Sequence, residues 1–221
     1  MPPRFELVVA RYDEDLAWLK RAPREFLVTV YDKGDGSSGG VPLSNEGREA
    51  HTYLHHLTER YESLADVTVF VQGHPFDHAP DLHKQLKAYV EDTDSVADFH
   101  WLGFLADTDD PCGRRLFVPW SKNPKRHELQ LDEFHRALFG EPGPHAYRFF
   151  VGAQFALTRA AAHRRSTEFY AKAAGMAVRF PFAPHCFERC WDRVFGCEGT
   201  SGRLAEGQTT AYFKPIKRLS A

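Results

Sequence analysis

The sequence predicts an α/β protein, a mostly parallel sheet flanked by helices in a single domain. Two observations carry that expectation. Apolar runs without a polar face recur in the first third of the chain, as in strands buried on both sides. Between them lie stretches with helical spacing, and the resulting strand, helix, strand, helix, strand order has connections too long for hairpins.

The first strand is "FELVVA" (Phe5–Ala10). "RYDEDLAWLKRA" follows as a short helix, with Leu16 and Leu19 on one side and Asp13, Glu14 and Asp15 at its positive end. "EFLVTVYDKGD" is a second strand, and "GDGSSGG" after it is the most flexible loop. Asn45 is placed to cap a helix carrying Ala50, Tyr53, Leu54, Leu57 and Tyr61 at helical spacing, with Arg48, His51 and His55 on its other face. "DVTVFVQG" is the third strand. Further on, "DLHKQLKAYV" reads as a helix, "FHWLGFLA" as an aromatic strand or buried turn, and "DTDDPCGRRLFVPWSKNPKRHE" as a long loop. "LDEFHRALFG" is a helix stopped at Gly140, and "YRFFVGAQFALT" a strand pair. "RAAAHRRSTEFYAKAAG" is helical with a stop at Gly175, and "HCFERCWDRVFG" is a last helix with Phe187, Cys190, Trp191 and Val194 as its apolar stripe.

With 43% hydrophobic and 26% charged residues, the 221-residue chain has enough apolar surface for a core. A net charge of −2 gives no general footprint for nucleic acid, and the basic end "YFKPIKRLSA" reads as a solvated tail. The N-terminal stretch lacks the apolar core of a signal peptide and no segment reaches the ~20 apolar residues of a membrane span, so a cytoplasmic protein is expected. In that setting Cys112, Cys186, Cys190 and Cys197 are expected as thiols rather than disulfides. Phosphate loops, dinucleotide fingerprints and nucleophile elbows (GxxxxGK[ST], GxGxxG after a strand, GxSxG) are absent from the sequence.

Chemistry is expected where the buried strands end, because ligands of open parallel sheets bind outside the carboxyl ends of the strands. Arg11 and Asp13 follow the first strand, Asp32 and Lys33 the second, and Gln72, His74, Asp77 and His78 the third. Imidazoles and carboxylates in such a cluster can hold a divalent cation, and an imidazole can act as a base near neutral pH. Arg48 near a helix start is placed for phosphate, and His51 with His55 has the i,i+4 spacing of a metal pair, itself a weak signal. His185, Cys186, Cys190 and Cys197 fit buried thiols better than a zinc knuckle. Glu188 and Asp192, one helical turn apart, are candidate bases if their helix faces the cleft, and otherwise form a charged outer face.

Two stretches resemble glycosyltransferases of the GT-A type. In "NEGREAHTYLHHL…DVTVFVQGHPFDH" a glycine-led helix precedes the strand that ends, in that group, in an acidic metal-binding triplet. "FFVGAQFALTRAAAHRRSTEFY" resembles the segment after their acceptor region. The whole chain, from "ELVVARYDEDLAWL" through "REAHTYLHHL" to "ERCWDRVFG", is also similar to an uncharacterised domain family found in fungi and bacteria.

The resemblance implies a three-layer, Rossmann-like GT-A fold, with a nucleotide-binding half over 1–105 and an acceptor-side half over 106–221. It implies a nucleotide-sugar donor, a hydroxyl acceptor and Mn²⁺ or Mg²⁺. His74 and Asp77, with His78, are then expected at the metal or diphosphate. Arg11, Asp13, Lys33, Arg48, His51 and Gln72 bind the donor, and Glu188 or Asp192 activates the acceptor. The chain departs from the pattern at one place: Gln72-Gly73-His74 stands where the triplet is Asp-x-Asp. An amide and an imidazole favour softer metals or none. Two other readings stay open: a zinc- or iron-dependent hydrolase or lyase using His74, Asp77, His78 and His51, and a non-catalytic nucleotide-sugar-binding module.

Overall fold

Three apolar runs become neighbouring strands. β1 (Phe5–Arg11) lies between β2 (Phe26–Asp32) and, on its other side, the strand Val67–Gln72, and both pairings are parallel. Leu7, Val8 and Val9 are fully buried, as strand residues must be when both sheet faces are covered. The structure, a computed structural model, describes residues 4–93, 96–116, 128–197 and 210–212. Most of the long loop after Asp110 and nearly all of the basic tail lie outside the described residues.

After β2 come the short β3 (Val41–Pro42), α1 (Arg48–Glu59) and β4 (Val67–Gln72). Then follow α2 (Leu82–Glu91), β5 (Phe99–Trp101), β6 (Leu105–Asp109), α3 (Leu131–Phe139), β7 (Tyr147–Phe150) and β8 (Phe155–Thr158). The chain continues with α4 (Arg159–Ala162), α5 (Thr167–Arg179), α6 (Ala183–Val194) and β9 (Thr210–Tyr212). Strand order in the main sheet is β3-β2-β1-β4-β8-β5, and β7-β6-β9 form a second, antiparallel sheet.

The main sheet is mixed rather than parallel throughout: β8 runs antiparallel to both β4 and β5. The Gly152–Ala153 turn, both residues at positive φ, returns the chain from β7 into the gap between β4 and β5. The later half of the chain is thereby woven into the first sheet. Helices cover both faces. Val8, Phe70 and Phe155 pack with Tyr53 and Leu57 of α1 and Trp191 of α6, whereas Leu7, Val9, Val69 and Val71 pack with Leu82 and Leu86 of α2.

Helix starts and stops depart from sequence expectation in three places. "AWLKR" (Ala17–Arg21) is a short 3₁₀ helix, not an α-helix. α1 begins at Arg48, with Gly47 at φ 59° and Arg48 itself at φ 49°, and no side chain caps it, so Asn45 is not its cap. Such a start costs about 1–3 kcal/mol. It is outweighed by the burial of Tyr53, Leu54 and Leu57, each contributing about 1.5–3 kcal/mol. Gly175 does not stop its helix; α5 runs through it to Arg179. Gly140, at φ 80°, does end α3. Among the described residues no helix is long and apolar enough to cross a membrane.

Candidate functional site

β2 and β4 flank β1 on opposite sides, so the chain path reverses direction across β1, and loops leaving the carboxyl ends of these strands part to leave a crevice. The register places Arg11 beside Asp32 and Ala10 beside Gln72. A cleft of about 420 Å³ opens there, lined by Arg11, Lys33, Arg48, Gln72, His74 and Asp77, together with Glu14, Asn45 and Glu49. Six residues singled out in the sequence therefore share one cavity. Asp13 does not: it is exposed outside the lining, and Glu14 takes its place.

Two of the three cations are already engaged. Arg11 Nη1 donates to Asp32 Oδ2 at 2.7 Å and to Asp35 Oδ1 at 3.2 Å, and Nη2 to the Ser37 hydroxyl at 2.9 Å. The serine-rich loop is fastened in turn, with Ser38 donating its hydroxyl to Asp32, and Asp35 is held down at about 2 by Ser37 and Arg11. The expected flexible loop is thus a hydrogen-bonded clasp around Arg11. Buried Lys33 donates to the carbonyls of Glu46 and Arg48, the latter at 2.7 Å, and burial lowers its pKa to about 8. Lys33 serves the backbone of the Asn45–Arg48 turn and helps fix its left-handed conformation. Arg48 differs: its side chain is 62% exposed, with Glu49 Oε2 at 3.7 Å from Nε. A largely exposed guanidinium, held among the described residues only by a neighbouring carboxylate at 3.7 Å, on a strained residue at a cleft is the arrangement expected of a ligand contact.

His51 does not line the cleft; its Nδ1 lies 3.5 Å from Lys33 Nζ, and burial followed by the charge of Lys33 lowers its pKa. Its ring is 6.2 Å from that of His55, which is edge-on to Tyr31. Glu49, by contrast, was not anticipated from the sequence. Burial raises its pKa, opposed by Arg48, and it faces the cleft from the first turn of α1.

The turn "GHPFDH" divides its side chains. Gly73 packs against the Glu14 side chain, where a Cβ would collide, and its carbonyl accepts from Trp18 Nε1 at 2.8 Å. Pro75–Asp77 form one 3₁₀ turn, and Gln154 Nε2 donates to the Pro75 carbonyl at 3.0 Å. His74 and Asp77 line the first cleft, their Nε2 and Oδ1 3.6 Å apart and both side chains more than half exposed. His78 lines a second cleft instead, against Gly152, whose φ of 102° and lack of a Cβ make room for the imidazole.

That second cleft, about 610 Å³, lies between β6, β7 and α6. Glu188 faces it, with Oε1 accepting the Gly152 N–H at 2.7 Å and Oε2 accepting from Arg189 Nη1 at 3.2 Å. Arg189 is itself fixed by Asp109 at 2.9 Å in a buried ion pair. His185 also lines this cleft, its pKa lowered by burial and by Arg189 and Arg48 against the pull of Glu188. The clefts are close enough for charges to be felt across them, Glu188 by Glu49 and Arg48 by His185. Asp192 lines neither cleft; it is buried and its Oδ1 accepts the Arg193 N–H. Of the two expected bases, geometry therefore favours Glu188.

The expected metal trio does not converge, since His78 is turned away from His74 and Asp77 into the other cleft. Among the described residues no three His, Cys, Asp or Glu side chains are grouped to hold a metal ion. The donor set therefore does not fit the divalent cation that the glycosyltransferase resemblance implies. Cys186 and Cys190 are free, buried thiols, and burial pushes Cys186 up to about 12.

Together these features define an α/β protein with a polar cleft at the chain reversal of a mixed sheet and a second, more apolar cleft beside it. The chain belongs to the family described as Protein of unknown function (DUF3431), whose family model matches residues 7–205. A search of curated proteins gave no match.

Proposed function

We propose that this protein is a GT-A-like glycosyltransferase, with a nucleotide-sugar in the first cleft and a hydroxyl-bearing acceptor in the second. The observation that carries the reading is the nearness of the strand-end cleft, lined by Arg48, Gln72, His74 and Asp77, to a second cleft holding a fixed carboxylate, Glu188, with the consecutive Asp77 and His78 lining one cleft each. Arg48 binds the diphosphate through charge-assisted hydrogen bonds, and His74 and Gln72 donate to its oxygens or to the sugar. Glu188 takes the proton of the acceptor hydroxyl as that oxygen bonds the anomeric carbon. The bond from that carbon to the diphosphate oxygen breaks, and its electron pair leaves on the nucleoside diphosphate. No step is routed through a metal, because among the described residues the side chains do not group into a site for one.

Thermal-shift titration with a panel of nucleoside diphosphates and nucleotide-sugars, with and without Mn²⁺, tests the reading. Stabilisation by at least one member, reduced in Arg48→Ala, is expected. A flat response to every member overturns it.

The replacement of Asp-x-Asp by Gln72-Gly73-His74 favours a second reading, a module that binds a nucleotide-sugar without turning it over. Glu188→Gln separates the two: transfer is abolished and donor binding kept in an enzyme, whereas a binding module shows no transfer to lose.

A further inference from the structure

The second cleft combines apolar walls with charged and imidazole groups. Leu105, Leu116, Phe149, Val151 and Phe182 form the walls among the described residues. Three charged side chains also line it, and all three are already partnered, Glu188 by the Gly152 amide and Arg189. Asp107 accepts from Arg115 Nη1 at 2.7 Å and from the Thr210 hydroxyl at 2.9 Å, and Arg189 is held by Asp109 and covers one face of the Phe149 ring at 4.8 Å. His78 and His185 complete the polar part of the described lining.

A polyhydroxylated acceptor needs hydrogen-bonding partners along its whole length, because each buried hydroxyl left without one costs about 1–3 kcal/mol. Half of the described lining of this cleft is apolar and offers none. An apolar body gains from the same walls, at roughly 25 cal/mol per Å² removed from water. A volume of about 610 Å³ is that of a site for one small molecule, not a chain of sugars. Phe182 gives a further sign of a built wall: a bulky residue held at φ 55°, where a phenylalanine is strained, at the start of α6.

We infer that the second cleft binds an alcohol with an apolar body of ring or short-chain size, presenting its hydroxyl to Glu188 and His185. This deepens the glycosyltransferase reading and rests on it for the fate of the hydroxyl, though not for the binding itself.

The test uses the full chain and three probes, 4-ethylphenol, 1-octanol and maltose, followed by ligand-observed NMR. Nucleoside diphosphate stabilisation is measured in parallel. At least one of the two apolar alcohols is expected to bind, and Leu105→Glu, which places a charge on the wall, is expected to weaken it about tenfold or more. Phe182→Gly removes a wall while suiting the positive φ, so it keeps the fold if Leu105→Glu does not, and it too is expected to weaken the alcohol. Nucleotide stabilisation should be unchanged in both variants. Absence of alcohol binding, alcohol binding indifferent to both substitutions, or maltose binding lost in both variants would each overturn the inference. Alcohol binding that responds to the variants, in a protein that binds no nucleotide, would uphold the inference and sink the donor reading alone.

Discussion

Glu188 Oε1 accepts a hydrogen bond from the Gly152 amide at 2.7 Å, across 36 residues of chain. The carboxylate is aimed by a turn that no other residue type suits. Gly152 has φ 102°, and any Cβ there would collide with the His78 ring. Gly152→Ala is therefore expected to displace both groups. The left-handed strain alone costs about 1–3 kcal/mol, so a lowered melting temperature should accompany a fall in transfer rate. Donor binding in the first cleft should survive, and a kcat loss with donor KM nearly unchanged is the signature to look for.

Arg48 combines an exposed guanidinium with a strained backbone, and the two properties predict opposite responses. Arg48→Gly relieves the φ of 49° and should leave stability equal or slightly higher. Loss of a charge-assisted contact of about 1.5–3 kcal/mol should weaken diphosphate binding roughly tenfold to a hundredfold. Calorimetric titration beside thermal melts reads both effects. Retained affinity in Arg48→Gly would remove this residue from the donor site.

Lys33→Met tests the opposite kind of cation. Its ammonium serves the carbonyls of Glu46 and Arg48, and its loss leaves both without that donor. Destabilisation of about 2 kcal/mol is expected by denaturant titration. Donor affinity should also fall, because the turn presenting Arg48 loses its anchor. Lys33→Arg does not restore it, since a planar guanidinium does not match the compact ammonium between two carbonyls.

Arg11→Met leaves Asp32 and Asp35 without their shared cation. The clasp around the serine-rich loop should open, seen as faster amide exchange over Ser37–Gly40 and a lower melting temperature. A nucleotide affinity that falls no more than the fold does would show Arg11 acting as a structural tie and not as a phosphate ligand.

A buried cluster that lines neither cleft makes the fold sensitive to acid. His56 is fully buried, its Nδ1 3.2 Å from the Tyr31 hydroxyl, and burial lowers its pKa to about 3. Between pH 6.5 and 3 the unfolded chain binds the His56 proton and the folded chain does not. Stability is thus lost as pH falls through that window, at up to about 1.4 kcal/mol per pH unit. Glu6, raised by burial, works in the opposite sense near its own range and offsets part of the slope. Denaturant midpoints from pH 7 to 4.5 should show the decline, and His56→Leu should flatten it.

The sheet's centre was legible because it depends on local pattern. β1 and β4 are apolar on both faces, and strand ends collect ligand groups whatever side chains they carry, so Arg11, Lys33, Gln72 and His74 could be placed on one rim. Direction was not legible at β8, since a four-residue strand reads the same parallel or antiparallel, and the reversal depends on the positive-φ turn at Gly152 and Ala153. Side-chain aim was legible least. Glu188 and Asp192 are indistinguishable by spacing, yet one enters a cleft and the other is buried behind it. Glu49 beside Arg48 had the signal of an acid in a first helical turn, but its facing the cleft follows from Lys33 gripping the preceding loop.

The three-residue turn Pro75–Asp77 sends Asp77 into one cleft and leaves His78 to wall the other. One peptide link is thus a party wall between two rooms. A substitution that shifts it redraws both rooms together, so under the proposed function donor and acceptor selectivity are inherited as a pair. Altering one preference alone requires changes on the far walls, at Arg48 on one side and at Leu105 or Phe182 on the other.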